Sequence, residues 1–72
     1  MKTAKEIGQD LVRLRGAKTR TEVAEAIGIS SSAMQMYENG ERMPRDEIKV
    51  ALANYYDTTV GALFFNEEVH ES

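Results

Sequence analysis

The sequence has no cysteine, one proline and one histidine, and it holds no apolar stretch near the length of a membrane span. Without cysteine the chain cannot form a disulfide framework or a thiolate metal site, which is typical of a reducing cytoplasm. His70 lies near the C-terminus, where it is poorly placed for catalysis or for binding a metal. No signal peptide is visible. We therefore expect a cytoplasmic protein with no membrane span, no metal and no other cofactor.

The parts of an enzyme are also missing from the sequence. There is no nucleophile–base pair, no phosphate-binding loop and no cluster with metal-ligand spacing. Glu22 and Glu25 are predicted to be helix-surface acids and not a general acid–base pair. We expect no enzymatic activity, and no small-molecule ligand is evident.

The charge is divided unevenly along a chain that is long enough for one small domain. Its 72 residues are 42% hydrophobic and 29% charged, a globular composition, and the net charge is −3. Nine basic and eight acidic residues lie up to Lys49, whereas four acids and no base follow it. Such a chain can still present a basic face to a polyanion. We predict one domain over residues 1–66 and an acidic tail over 67–72.

Apolar residues recur every three or four positions, which is the period of amphipathic helices and not of strands. With the capping and glycine signals between them, they predict a first helix ending at Gly16 and further helices over 20–27, 31–38, 45–56 and 60–65. Thr19 and Glu22 have capping-box spacing, and Ser30 and Thr59 are predicted N-caps. The predicted core is formed by Ile7, Leu11, Leu14, Val23, Ala24, Ile27, Met34, Tyr37, Ile48 and Leu52, with Tyr55 or Tyr56.

Residues 19–39 have the spacing of a helix-turn-helix unit. Ala24 is small enough to let the next helix cross closely, and Gly28 permits the sharp change of direction. Ile29 is predicted to fill the turn, and Met34 returns an apolar contact from the following helix. Two helices fixed in this way can place the second in a DNA major groove while the first spans the backbone.

A longer pattern surrounds this unit. The segment TRTEVAEAIGIS over 19–30 is followed by an apolar-x-x-Tyr-Glu-Asn-Gly run over 34–40, and then by Arg42 and Pro44. Together they resemble the Cro/CI-type helix-turn-helix family, also called the XRE family, and the match extends more loosely from Ile7 to Phe65. The resemblance implies an all-α, five-helix, lambda-repressor-like domain. It also implies a bacterial or phage-encoded protein near the nucleoid that binds double-stranded DNA as a two-fold dimer on a palindromic operator.

The resemblance assigns roles to individual residues. It implies that base edges are read by Ser31, Ser32, Gln35 and Met36. It implies that phosphates are contacted by Thr19, Arg20, Ser30, Asn39, Arg42 and Arg45. In the family a first-helix arginine pairs with the glutamate that corresponds to Glu38. Motif phase indicates Arg15, which we predict to be the partner, whereas counting back from Val23 indicates Arg13. The chain departs from the family at Arg20, where glutamine is frequent, and at Lys18, where an apolar residue is usual.

The predicted reading face carries no arginine or lysine, so bidentate contacts to guanine are excluded from this helix. Gln35 could read adenine, and Met36 could touch a thymine methyl group. We expect modest direct readout, a larger share from phosphates and DNA shape, and an operator that leans towards A·T.

The last predicted helix is apolar almost throughout. Part of it is expected to complete the core, and the rest to form an exposed patch that a dimer would bury. The predicted interface residues are Val60, Leu63, Phe64 and Phe65.

Two function classes follow from these features. The first is a DNA-binding transcriptional regulator, a repressor controlled by its concentration or by an antagonist protein. The second is a protein-interaction module, such as an anti-repressor or an antitoxin-like partner, that keeps the fold without strong DNA binding. The acidic net charge and the absence of arginine and lysine from the reading face favour the second class. Arg20, Asn39 and Arg42 oppose it.

Overall fold

The computed structural model describes residues 2–66, and all regular structure in that part of the chain is helical. The helices are α1 (Ala4–Arg15), α2 (Arg20–Ile27), α3 (Ser31–Glu38), α4 (Asp46–Tyr55) and α5 (Val60–Phe64). The predicted all-α fold class is therefore confirmed, with α4 one residue shorter at each end and α5 one residue shorter at its C-terminal end than predicted. The predicted tail over 67–72, with His70, lies outside the described residues.

Side-chain caps start four of the helices. The hydroxyls of Ser30 and Thr59 each accept from the amide three residues later, at 3.0 Å. Thr19 accepts from the Glu22 amide at 3.1 Å. The second bond of the box, in which the Thr19 amide would donate to the Glu22 carboxylate, is not formed between described residues, so only half of that capping box is present. A complete capping box starts α1 instead, where Thr3 and Glu6 exchange both bonds.

One apolar core lies where the five helices meet. Its buried members are Ile7, Leu11, Val23, Ala24, Met34, Tyr37, Leu52, Leu63 and Phe64. The prediction for Leu14 is wrong, because this side chain is 37% exposed. The inward face of α1 runs through Gly8, Leu11 and the largely buried Arg15, which turns Leu14 towards solvent. Ile27 and Ile48 are half-buried and pack against the core.

Helix α5 belongs to this core more fully than the sequence predicted. Leu63 is 4% exposed and Phe64 is fully buried within one chain. These two side chains therefore leave little surface for a second chain, and the accessible part of the predicted dimer interface is formed by Val60 and Phe65. Val60 is half-buried against the core, and Phe65 is 40% exposed.

Two glycines let α1 approach the end of α3 closely. A Cβ on Gly8 would lie 2.7 Å from the Tyr37 carbonyl oxygen and closer still to that of Glu38. Gly40 has a φ of 74°, and a Cβ there would lie 2.8 Å from the Cα of Lys5. Both contacts are with backbone, which cannot rotate away as a side chain can. This packing fixes α3 against the rest of the domain.

None of the helices within residues 2–66 is long and apolar enough to cross a membrane.

Candidate nucleic-acid interface

The turn between α2 and α3 has the geometry that the sequence spacing predicted. Gly28 ends α2 in the left-handed conformation, with a φ of 80°. The Ile29 amide donates to the Ala24 carbonyl at 2.9 Å, and the Ile29 side chain packs against the core. Ala24 and Met34 are buried on the facing sides of the two helices. The turn is therefore fixed at both ends, and α3 is held in one orientation relative to α2.

Opposite its buried side, α3 presents polar residues and one methionine. Met34, Tyr37 and Glu38 point inward. The four residues predicted to read base edges are all exposed: Ser31, Ser32, Gln35 and Met36. No hydrogen bond joins any of these four side chains to another residue in the described part of the chain. Their polar atoms are thus available to an external partner.

The residues predicted to contact phosphates precede and follow α3 along the chain. Thr19 and Ser30 are exposed, and although each hydroxyl accepts a capping bond, its own proton is left to donate. Asn39, Arg42 and Arg45 are exposed in or beside the segment that follows α3. Within residues 2–66, neither Arg42 nor Arg45 forms an ion pair.

A buried carboxylate joins α1, α2 and α3. The Glu38 side chain has no exposed surface, and Arg15 donates to it from Nε at 2.7 Å and from Nη2 at 3.3 Å. The Arg15 Nη1 also donates to the Lys18 carbonyl at 2.7 Å, which fixes the loop before α2. Arg13 pairs with Asp10 on the surface instead. Of the two arginines that the sequence left open, the structure places Arg15 on Glu38.

Arg20 also contacts this carboxylate. Its Nε donates to Oε1 of Glu38 at 2.6 Å. The two arginines and one glutamate leave a local charge of +1, and we call this group the Glu38 cluster. The sequence assigned Arg20 to phosphate alone, and its pairing with Glu38 was missed.

A family model described as a helix-turn-helix domain matches residues 6–63, from α1 into α5. The chain belongs to this family. Helix-turn-helix domains of this kind bind DNA and are generally not enzymes. No curated protein and no solved structure matches the chain.

Residues 2–66 of this helix-turn-helix domain hold no group of side chains suited to a metal ion.

The loop between α1 and α2 is held by a contact that sequence spacing could not indicate. Lys18 donates from Nζ to the Tyr55 hydroxyl at 2.9 Å, and its ammonium lies 4.7 Å from the centre of that ring. This bond is the main cause of a raised pKa of Lys18. Lys18 thus ties the loop before α2 to the Tyr55 side chain at the end of α4.

Tyr56 lies beside the Glu38 cluster, and its hydroxyl oxygen is buried without a hydrogen-bond partner among the described residues. Burial, followed by the negative charge of Glu38, raises the pKa of Tyr56 to about 12. The folded state therefore favours the neutral phenol, whereas an unfolded tyrosine ionises near pH 10. The contribution of the neutral Tyr56 phenol to the free energy of unfolding is fully present below pH 10 and is lost as the pH rises towards 12.

We predict that Tyr56→Phe raises the free energy of unfolding at pH 7 by about 1 kcal/mol, because it removes a buried polar group that lacks a partner. It should also reduce the loss of stability between pH 10 and pH 12. Urea unfolding at pH 7 and at pH 11 measures both effects. Tyr55→Phe is the matched control, and it should not stabilise the domain because its hydroxyl accepts the bond from Lys18. A destabilised Tyr56→Phe variant would contradict the prediction.

Proposed function

We propose that this helix-turn-helix domain is a sequence-specific regulator of transcription, a Cro/CI-type repressor that occupies an operator with α3 in the major groove. The single observation that carries the proposal is the division of α3 into two faces. One face is anchored in the core by Met34 and Tyr37, and the other presents Ser31, Ser32, Gln35 and Met36 without internal partners. A rigid helix with a free polar face is what groove docking requires.

Phosphate contacts on both sides of α3 would set the register of this helix on the duplex. Thr19 and Arg20 lie at the start of α2, where helix amides add to the attraction for phosphate. Ser30 lies at the start of α3, and Asn39, Arg42 and Arg45 follow its end. Contacts of this kind fix orientation but carry no sequence information directly.

Base readout in this proposal depends on few groups. Gln35 can bond adenine through two atoms, and Met36 can contact a thymine methyl group. Because α3 carries no arginine or lysine, DNA shape and phosphate contacts supply a larger share of the specificity. We propose an operator that leans towards A·T base pairs.

The proposed assembly is a two-fold dimer on a palindromic operator, in the cytoplasm of a bacterium or of a phage host and near its nucleoid. Support comes from Phe65, which follows α5 directly and is 40% exposed, and from Val60, which begins α5 and is only half-buried against the core. Two recognition helices about 34–36 Å apart would enter successive major grooves. An antagonist protein that covers the same surface is the proposed means of control.

The test is fluorescence anisotropy with duplexes selected from a random pool, with scrambled versions of them, and with the DNA that flanks the gene. We expect tight binding to the selected duplex and a linear fall of log K with log salt, with a slope of about −0.9 per phosphate neutralised. Sedimentation should find two chains per duplex. Selected sites rich in G would contradict the proposed readout.

Matched arginine variants sharpen this test. Arg42→Gln should weaken binding to all sequences. It should also reduce the slope of log K against log salt by about 0.9, the value for one phosphate contact. Arg13→Gln makes the same change on α1, where Arg13 pairs with Asp10, and should leave the slope unaltered. No binding to any duplex at low salt would favour the second candidate, a protein-interaction module. The net charge of −3 and the absence of arginine and lysine from α3 support that candidate.

A further inference from the structure

The two arginines of the Glu38 cluster contact the carboxylate in different ways. Arg15 uses all three guanidinium nitrogens within the fold, two on Glu38 and one on the Lys18 carbonyl, and its side chain is 18% exposed. Arg20 uses only Nε, and its side chain is 40% exposed. Its two terminal nitrogens have no hydrogen-bond partner within residues 2–66. The Arg15 guanidinium is thus fully used within the fold, whereas the terminal nitrogens of Arg20 are left free by the described residues to bind an external group.

We propose that Glu38 is a positioning residue for DNA binding, and that it holds Arg20 through Nε so that the terminal nitrogens meet one backbone phosphate. The inference rests on the proposed function and deepens it. One guanidinium would then bridge a buried carboxylate and a phosphate, which its planar arrangement of donors permits. A lysine ammonium lacks that planar fork.

The position of Glu38 in the chain lets this bridge connect α2 with α3. Glu38 is the last residue of α3, and Arg20 is the first residue of α2. The carboxylate therefore ties a phosphate contact on one helix to the end of the helix that enters the groove. Through Arg15 it also fixes the loop before Thr19. A phosphate held by Arg20 is placed in a constant relation to α3, and this relation sets the register of the reading face.

Charge and positioning predict opposite results for Glu38→Gln. Removing a negative charge from the protein should strengthen its attraction to DNA if charge alone matters. If Glu38 positions Arg20, the variant should bind the selected duplex about 10-fold more weakly, because the arginine must be ordered on binding. Glu41→Gln is the charge-matched control, since Glu41 is exposed after α3 and forms no ion pair within the described residues. It should bind as tightly as the parent or more tightly.

A second variant keeps the test valid if Glu38→Gln folds poorly. Arg20→Lys retains the charge on an accessible side chain but loses the bridge, and we expect about 10-fold weaker binding. Arg13→Lys makes the same change at the Asp10 pair and should bind like the parent. Circular dichroism and thermal unfolding establish that each variant is folded at the assay temperature.

A double-mutant cycle separates positioning from a general loss of structure. If Glu38 acts through Arg20, the double variant Glu38→Gln, Arg20→Lys should bind no more weakly than Arg20→Lys alone. Additive losses, or an Arg20→Lys variant that binds like the parent, would overturn the inference while leaving the proposed function intact. Failure of the parent protein to bind any duplex would overturn both.

Discussion

Gly8→Ala is expected to lower the free energy of unfolding by about 3 kcal/mol or more and to leave little folded protein at 37 °C. The added Cβ would overlap the carbonyl oxygens of Tyr37 and Glu38 at the end of α3. Neither backbone atom can rotate away, so α1 must separate from α3. That separation would also disturb the ion pair between Arg15 and Glu38. Thermal unfolding followed by circular dichroism measures the loss.

Gly16→Ala is the matched control for this substitution. Gly16 has a φ of 57°, but a Cβ there would meet nothing within 4 Å. Only the strain of a positive φ combined with a ψ of −125° is added, so we expect a loss of about 1–2 kcal/mol, smaller than that of Gly8→Ala. Equal losses in the two variants would show that the close approach of α1 to α3 is not the cause. A stable Gly8→Ala domain would contradict the packing described above.

Gln35→Glu is expected to weaken binding to the selected duplex by at least about 30-fold, which corresponds to about 2 kcal/mol. Gln35 lies in the centre of the exposed face of α3 and has no partner within residues 2–66. A carboxylate at this position would face the negative potential of the groove and could no longer donate to an adenine. Anisotropy titration at a fixed salt concentration measures the loss.

Gln9→Glu provides the same chemical change on a different surface. Gln9 is exposed on α1, outside the unit formed by α2 and α3. Its net charge equals that of Gln35→Glu, so any long-range effect of the added charge is shared. We expect Gln9→Glu to stay within about 3-fold of the parent, a loss below about 1 kcal/mol. Similar losses in both variants would show that α3 is not the reading helix.

The helix bounds could be predicted closely because the signals that set them are local. Thr19, Ser30 and Thr59 each cap the amide three residues ahead, and Gly28 ends α2 where its φ becomes positive. Such bonds depend on neighbours in the sequence, so they need no knowledge of the tertiary fold. The turn between α2 and α3 was predictable for the same reason.

Contacts between distant segments account for what the sequence did not predict. Leu14 was placed in the core by periodicity, but the pairing of Arg15 with Glu38 turns the inward face of α1 away from it. No signal in the sequence indicated the role of Gly8, since that role depends on the carbonyl groups of Tyr37 and Glu38, which are 29 and 30 residues away. The pairing of Arg20 with Glu38 likewise requires the start of α2 and the end of α3 to meet.

The division of α5 between core and surface was also beyond the sequence pattern. A five-residue helix with few polar residues has no amphipathic contrast, so periodicity cannot show which side is covered. The structure buries Leu63 and Phe64 and leaves Phe65 exposed. Lys49 adds to this cover: it is buried, and its ammonium lies 5.4 Å from the centre of the Phe65 ring. A long apolar stem allows a lysine to occupy such a place.

Amide chemical-shift mapping of the ¹⁵N-labelled domain during titration with the selected duplex tests most directly whether α3 enters the major groove. The expected shifts are largest over residues 31–36, with further changes at Thr19, Arg20, Asn39 and Arg42. The exposed side of α4, represented by Val50, should change little. Large shifts on α4 with an unaltered α3 would contradict docking of DNA through the helix-turn-helix.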